Sequence, residues 1–127
     1  DELIVLSRDD IRTEIGIEGE KPQGSKKQEE EVTKILSQRY MDAVKQHKDV
    51  VINNTHMLRR WRNALKDLVM SMENAPRFQY IVVDTPIEIC KGRRKGMMRL
   101  DVIDKMFNEW EMPDSGECDN LTFVKGY

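Results

Sequence analysis

The sequence predicts an α/β fold in which helices flank a parallel sheet. Four short apolar segments alternate along the chain with longer segments whose apolar residues recur at helical spacing. The continuous apolar run at residues 3–6 is typical of a strand that is covered on both faces, as strands in parallel sheets are. A polar turn follows this run, and parallel α/β proteins bind their ligands outside the carboxyl ends of such strands.

The first half of the chain contains two predicted strands. Residues 3–6 form the first, and the polar segment 7–12 follows it. Glycine, proline and charged residues then break the pattern over residues 16–31, which predicts a loop. The run of residues 28–31 at the end of that stretch starts a helix, with acidic residues at the positive end of the helix dipole, and the apolar spacing continues to about His47. The apolar residues 50–52 predict the second strand.

The second half repeats the alternation. After the polar residues 53–56, a helix is predicted whose buried stripe consists of Leu58, Trp61, Leu65, Leu68 and Met72. Residues 78–83 predict the third strand, and a short helix follows and leads into a basic run at 91–95. Residues 102–110 have the spacing of a last helix, and 121–124 predict a final strand.

Composition limits the class of protein. The 127 residues suit one domain, and 39% hydrophobic with 35% charged residues allow a modest core. The formal net charge of −2 provides no overall basic field, so binding of nucleic acid would depend on local patches. Cys90 and Cys118 have no metal-site spacing and are too few for a disulfide scaffold, which favours a reducing, cytoplasmic location. No apolar run is long enough to span a bilayer, so no membrane partner is expected.

Two charged residues after the first strand are the first candidates for chemistry. Asp9 and Arg12 are three residues apart and share a face if the turn opens a helix. At a strand end, such a carboxylate can accept a proton from a hydroxyl while the guanidinium holds a phosphate. The alternative is a helix N-cap, in which Asp9 or Asp10 accepts backbone N–H bonds. The segment by itself leaves both interpretations open.

Several segments together resemble the kinase domain of polynucleotide 5′-hydroxyl kinases of the bacteriophage and bacterial RNA-repair type. The resemblance covers nearly the whole chain. Residues 7–12 are similar to the family's acceptor motif, and residues 51–56 resemble a strand that ends in Asp-Thr-Asn in the family. Residues 83–86, followed by Cys90 and Arg93, resemble the strand and helix that lead into an arginine-bearing lid over ATP.

The resemblance implies a role for each matched residue on the acceptor side. Asp9 is the general base toward the 5′-hydroxyl, and Arg12 contacts the acceptor phosphate. Asn54 and His56 stand where the family has Asp and Asn, and Arg62 falls where the next helix often carries an arginine. The amide of Asn54 still offers hydrogen bonds but carries no charge. All three are expected to contribute to acceptor binding.

The resemblance also implies a basic lid over ATP. Arg93 is expected to act on the transferring phosphoryl group, because developing charge there needs a nearby cation. The family's second lid arginine corresponds to Met97 here. Arg94, Lys95 or Arg99 is expected to supply that charge instead. The alternative is that the run is an ordinary basic loop.

One motif does not occur in these 127 residues. The sequence Gly-x-x-x-x-Gly-Lys-Ser/Thr, which wraps the phosphates in P-loop kinases, is not found. The expected fold is therefore an incomplete three-layer α/β/α parallel sheet of the P-loop hydrolase and kinase type, a single partial domain over 1–127. It would lack its first central strand and the phosphate-binding loop, through truncation, a partial gene or degeneration. The bare edges left beside residues 50–52 and 78–83 would favour self-association.

The function implied is transfer of the γ-phosphate of ATP, with Mg²⁺, to the 5′-hydroxyl end of RNA or DNA. Two alternatives stay open at this point. In the first, a P-loop kinase of this kind acts on a small-molecule hydroxyl instead of a polynucleotide. In the second, the chain is a catalytically incompetent remnant, because the phosphate cradle is not among its residues.

Overall fold

The computed structural model describes residues 3–17, 25–54, 58–73, 75–94 and 100–127. The element order is β1 (Leu3–Leu6), α1 (Arg8–Glu14), α2 (Lys26–Lys45), β2 (Asp49–Ile52), α3 (Arg59–Met70), β3 (Gln79–Asp84), α4 (Ile87–Arg94), α5 (Leu100–Glu109) and β4 (Asn120–Lys125). The predicted alternation of strands and helices is confirmed. The chain divides into two compact units, one of residues 1–55 with 67–76 and one of residues 56–66 with 77–127.

In the first unit, β1 and β2 form a parallel pair. The register runs from Leu3 beside Asp49 to Leu6 beside Ile52, and the N–H of Asn53 donates to the carbonyl of Leu6 at 2.8 Å. Helix α2 contacts both strands and also α1. Its side toward them carries a buried stripe at helical spacing, which consists of Val32, Leu36, Tyr40, Ala43 and Val44. The crossover between the two strands is therefore built by one long amphipathic helix.

Only one face of this first sheet is covered. Leu6 is buried, whereas Leu3 and Val5 on the opposite face are 56% and 57% exposed. Val51, which pairs with Val5, is also exposed. The expectation that β1 is covered on both faces is wrong for the structure described. The reason is that α2 packs against one face of the sheet, which leaves the apolar side chains of β1 on the other face exposed.

Helix α2 begins earlier than the sequence pattern indicated. Its N-cap is Ser25, whose side chain accepts from the N–H of Gln28, while the Gln28 side chain accepts from the N–H of Ser25 at 2.8 Å. This capping box satisfies two donors that a helix start otherwise leaves without partners. The helix start predicted at Gln28 is thus two residues later than the observed start at Lys26. The Ser-x-x-Gln pattern was the signal for this boundary.

In the second unit, β3 and β4 form a parallel pair from Gln79 beside Asn120 to Asp84 beside Lys125. Helices α4 and α5 pack against each other. The pairing continues to the carboxyl ends of both strands, where the N–H of Gly126 donates to the carbonyl of Asp84 at 2.9 Å. Four large apolar side chains of this sheet are exposed: Ile81, Val83, Phe123 and Val124.

Helix α3 has the predicted position but a different buried line. Trp61, expected in the buried stripe, is 44% exposed, and the next residue, Arg62, is buried instead. Val69, seven residues after Arg62, is fully buried. The two buried residues, Arg62 and Val69, each follow a residue of the predicted stripe by one position. Arg62 can be buried because the carboxylate of Glu117 faces it.

The described strands form two separate parallel pairs, β1 with β2 and β3 with β4. The architecture is mixed α/β with short parallel strands, and a single three-layer sheet stays a prediction, as does self-association through strand edges. Among the described helices, none has the length and apolar character that crossing a membrane requires.

Candidate functional site

The first candidate site lies where β1 and β2 end. Ser7 is the N-cap of α1 and has extended backbone (φ −146°, ψ 135°), but its side chain caps nothing. The side-chain oxygen of Asn54, two residues beyond β2, instead accepts from the backbone N–H of Arg8 at 2.9 Å. Parallel pairing brings both carboxyl ends to one edge, so an amide from the second strand caps the helix after the first. Asn54 therefore lies beside the motif at 7–12, and its predicted role in acceptor binding stays a prediction.

Asp9 and Arg12 form an ion pair on the same face of α1. Nη1 of Arg12 donates to Oδ1 of Asp9 at 2.6 Å. Asp9 is the second residue of the helix, so the interpretation of Asp9 as the N-cap is wrong, and Ser7 holds that position. The side chain of Asp9 is 83% exposed, while that of Arg12 is only 14% exposed. The carboxylate is thus accessible to a substrate hydroxyl, and the guanidinium that orients it is held by the protein.

A second carboxylate, that of Glu29 in the first turn of α2, holds Arg12 from another side. Nε of Arg12 donates to Oε2 at 3.0 Å, and Nη2 donates to Oε1 at 2.6 Å. The hydrogen bond to Glu29, opposed by burial and aided by the charges of Glu29 and Asp9, raises the pKa of Arg12 above its ordinary value. The guanidinium therefore stays charged throughout the physiological range. The sequence by itself indicates only that Glu29 suits the positive end of a helix dipole. Arg12 and Glu29 are 17 positions apart, and no sequence periodicity predicts contact at that separation.

Arg8 ties the same two helices together. Its Nη1 donates to Oγ1 of Thr33 at 2.9 Å, and its Nη2 donates to the carbonyl oxygen and a carboxylate oxygen of Glu29. A further surface pair joins Arg39 of α2 to Glu14 of α1, and it lowers the pKa of the Glu14 carboxyl. The start of α1 is therefore anchored to the start of α2 by the motif's own arginines.

The second unit contains a buried ion pair that the sequence did not predict. Nε and Nη2 of Arg62 donate to the two carboxylate oxygens of Glu117 at 2.9 and 3.3 Å, and the Arg62 side chain is 4% exposed. The carboxylate also accepts from the N–H of Asp114 at 3.0 Å and lies 3.4 Å from Nε of Arg59. The ammonium of Lys66 donates to the carbonyl oxygen of Glu117. Glu117 thus joins the first half of α3 to the loop before β4.

Burial alone would raise the pKa of the Glu117 carboxyl. The hydrogen bonds from Arg62 and Asp114 and the charges of Arg62 and Arg59 outweigh burial, so the pKa is lowered from its ordinary value. Tyr80 lies nearby in β3, and burial followed by the charge of Glu117 raises the pKa of its hydroxyl. Arg62 was predicted to bind the acceptor. The structure gives it a structural partner, and the acceptor role stays a prediction.

The predicted lid residues lie in the second unit. Arg93 is exposed near the carboxyl end of α4. Lys91, two residues earlier, pairs with Asp104 of α5 at 2.7 Å, and the hydrogen bond raises the pKa of Lys91. His56, Lys95 and the side chain of Arg94 lie outside the described residues.

Side chains that could ligate a metal ion are not grouped in the part of the chain that the structure describes. There, no three His, Cys, Asp or Glu side chains are placed together to hold an ion. The carboxylates of the first site, Asp9 and Glu29, are both engaged with Arg12.

Comparison with models of known protein families identifies the class of this chain. The family described as the AAA domain matches residues 1–107. The chain belongs to this family of P-loop NTPase-like kinases. No curated protein sequence matches the chain. The family supports nucleotide binding and kinase chemistry in general and does not specify the acceptor.

Proposed function

We propose that this chain carries the acceptor side of an ATP-dependent polynucleotide kinase that phosphorylates 5′-hydroxyl ends of RNA or DNA. One observation supports the proposal most directly. An exposed carboxylate, Asp9, is ion-paired to Arg12 at the carboxyl end of β1, and Asn54 from the end of β2 lies against the same helix start. This is the edge of a parallel sheet at which ligands bind.

In the proposed reaction, the 5′-hydroxyl oxygen attacks the γ-phosphorus of ATP. The bond from that phosphorus to the bridging oxygen breaks, ADP leaves, and the hydroxyl proton passes to Asp9. The Arg12 ion pair at 2.6 Å orients the Asp9 carboxylate toward the proton that it receives. Arg12 and Asn54 bind the acceptor's first phosphate and sugar. His56 is proposed as a further acceptor contact, whereas for Arg62, which is buried against Glu117, the acceptor role is only a prediction from the sequence.

The nucleotide side of the reaction is proposed on the lid. Arg93 is exposed at the end of α4 and provides a positive charge for the transferring phosphoryl group, with Arg94 and Lys95 adjacent in sequence. Magnesium, when bound with ATP, would neutralise phosphate charge. The glycine-rich motif that wraps the phosphates is not among these 127 residues. We therefore expect the chain by itself to bind ATP weakly, because a backbone phosphate nest is missing from its sequence.

The test uses the chain joined to an upstream strand and phosphate-binding loop, and it follows transfer of labelled γ-phosphate to a 5′-hydroxyl oligonucleotide. Asp9→Asn should reduce turnover by at least about a hundredfold, because it removes the proton acceptor and keeps the shape. The matched control is Asp10→Asn, on the adjacent exposed position of the same helix turn. The control should retain most of the turnover. Equal loss in both variants would contradict the role of Asp9.

The acceptor class is tested in the same assay. A panel of small polyols and nucleosides replaces the oligonucleotide at equal concentration. The proposal predicts that a 5′-hydroxyl oligonucleotide is preferred and that removing its first phosphate weakens binding, because Arg12 then has no anion to hold. Preference for a small polyol would assign the site to a metabolite kinase instead. Absence of transfer to any acceptor would favour a catalytically incompetent chain.

A further inference from the structure

We infer that Glu29 is a positioning residue, which holds the Arg12 guanidinium in the orientation that receives the acceptor phosphate. The inference rests on the proposed function, in which Arg12 is the phosphate contact. It adds a residue from a different helix, α2, to the acceptor motif at 7–12. Neither the sequence pattern nor the family match assigns Glu29 this role.

The first argument is the count of donors on Arg12. A guanidinium has five N–H groups. Glu29 engages one edge side-on, through Nε at 3.0 Å and Nη2 at 2.6 Å, and Asp9 engages Nη1 at 2.6 Å. One N–H on each of the two terminal nitrogens is left over by these three contacts. Both terminal nitrogens therefore keep an N–H group that can donate to a phosphate oxygen.

The second argument is that Glu29 is itself fixed. Its helix begins at the capping box of Ser25, which sets the first turn in place. Arg8 donates to both the carbonyl and the carboxylate of Glu29, and Thr33 donates from Oγ1 to the same carbonyl at 3.0 Å. The side chain of Glu29 is mostly covered. A carboxylate held in this way restricts the rotamers of the Arg12 side chain before a ligand arrives. Less side-chain entropy is then lost when the phosphate binds.

The third argument is electrostatic, and it determines whether Glu29→Gln should strengthen or weaken phosphate binding. Arg8 and Arg12 are matched by Asp9 and Glu29, so the cluster has no net charge. Attraction of a phosphate to this site therefore depends on directed N–H groups more than on excess positive charge. Glu29→Gln adds one unit of positive charge to the cluster. If charge alone governed binding, the variant would bind a phosphate more tightly, whereas loss of positioning makes it bind more weakly.

The experiment measures binding of a single-stranded oligonucleotide with a free 5′-hydroxyl and a 3′-fluorophore by fluorescence anisotropy, with the full 127-residue chain. Glu29→Gln should raise Kd about tenfold, the size of one charged hydrogen bond lost. Arg12→Ala should raise Kd at least as much. In the Arg12→Ala background, Glu29→Gln should have no further effect, because it acts through Arg12. Glu31→Gln, at an exposed position of the same helix, is the control and should leave Kd unchanged.

A kinetic readout distinguishes positioning from general stabilisation. In the chain joined to a phosphate-binding loop, Glu29→Gln should raise the KM for the oligonucleotide and leave the KM for ATP unchanged. Thermal unfolding of each variant shows whether it is folded. If Glu29→Gln does not fold, Glu29→Asp replaces it, since aspartate keeps the charge and shortens the reach. Positioning predicts weaker binding for Glu29→Asp, whereas a pure charge effect predicts binding like the parent chain.

The outcomes separate the inference from the proposed function. Tighter or unchanged binding in Glu29→Gln, with weaker binding in Arg12→Ala, overturns the positioning role and leaves Arg12 as the phosphate contact. Equal effects of Glu29→Gln with and without Arg12 also overturn it. Unchanged binding in Arg12→Ala, or no saturable binding by the parent chain, contradicts the proposed function, and the inference fails with it.

Discussion

The buried pair of Arg62 and Glu117 allows a prediction about stability that is independent of the proposed chemistry. Glu117→Ala removes the carboxylate that accepts two hydrogen bonds from Arg62 and one from the N–H of Asp114. The Arg62 guanidinium is then buried without the negative charge that faces it. Breaking such a pair from one side costs about 3–5 kcal/mol of unfolding free energy. For a chain of this length, that corresponds to a drop in Tm on the order of 10–20 °C.

Thermal unfolding followed by circular dichroism measures the effect. The matched control is Glu109→Ala, which removes an exposed carboxylate paired with Lys105 at 3.9 Å. An exposed ion pair contributes little, so the control should shift Tm by no more than about 2 °C. A Glu117→Ala variant that melts within the same 2 °C would refute the reasoning. It would mean that water or a rearranged side chain replaces the carboxylate at little cost.

Three further predictions concern stability. The unfolding free energy should fall as pH drops below about 4.5, and more steeply in the parent chain than in Glu117→Gln. The pKa of the Glu117 carboxyl is lowered by folding, so this group stabilises the fold at pH values above its ordinary pKa of 4.5, and the stabilisation is lost as pH falls through the folded pKa. Urea unfolding at several pH values measures the difference. Gly126→Ala should lower Tm, since a Cβ there would lie 2.7 Å from Cγ1 of Val83, whereas Gly92→Ala, with open space around it in α4, should leave Tm unchanged or raise it slightly. Ser25→Ala should reduce stability by about 1 kcal/mol in denaturant unfolding through loss of the α2 capping box; an unchanged midpoint would contradict that role.

The sequence was sufficient for the order and type of the elements. Apolar runs of three to six residues and amphipathic segments recur with periods that depend only on local geometry, so the four strands and the positions of most helices follow from them. The start of α2 is predicted at Gln28, two residues late, because Ser25 and Lys26 lie in a stretch otherwise typical of a loop.

The site could be predicted only in part. Asp9 and Arg12 are neighbours on one helix turn, so their pairing follows from their spacing. Asn54 became a candidate only through the family resemblance, and the pairing of β1 with β2 brings it to the start of α1. The contact of Arg12 with Glu29 has no such rule behind it, since it joins the first turns of two helices across a loop.

The sequence by itself determined the α/β class and the order of the strands along the chain, because both depend on local periodicity. It also determined the ion pair of Asp9 and Arg12, because the two residues are neighbours on one helix turn. Only the tertiary structure decided that Arg62 is buried, that Glu117 is its partner and that Leu3 and Val5 are exposed. Burial depends on which surfaces meet after the chain has folded. A charged residue can therefore replace an apolar one inside the fold when a carboxylate 55 positions away lies opposite it.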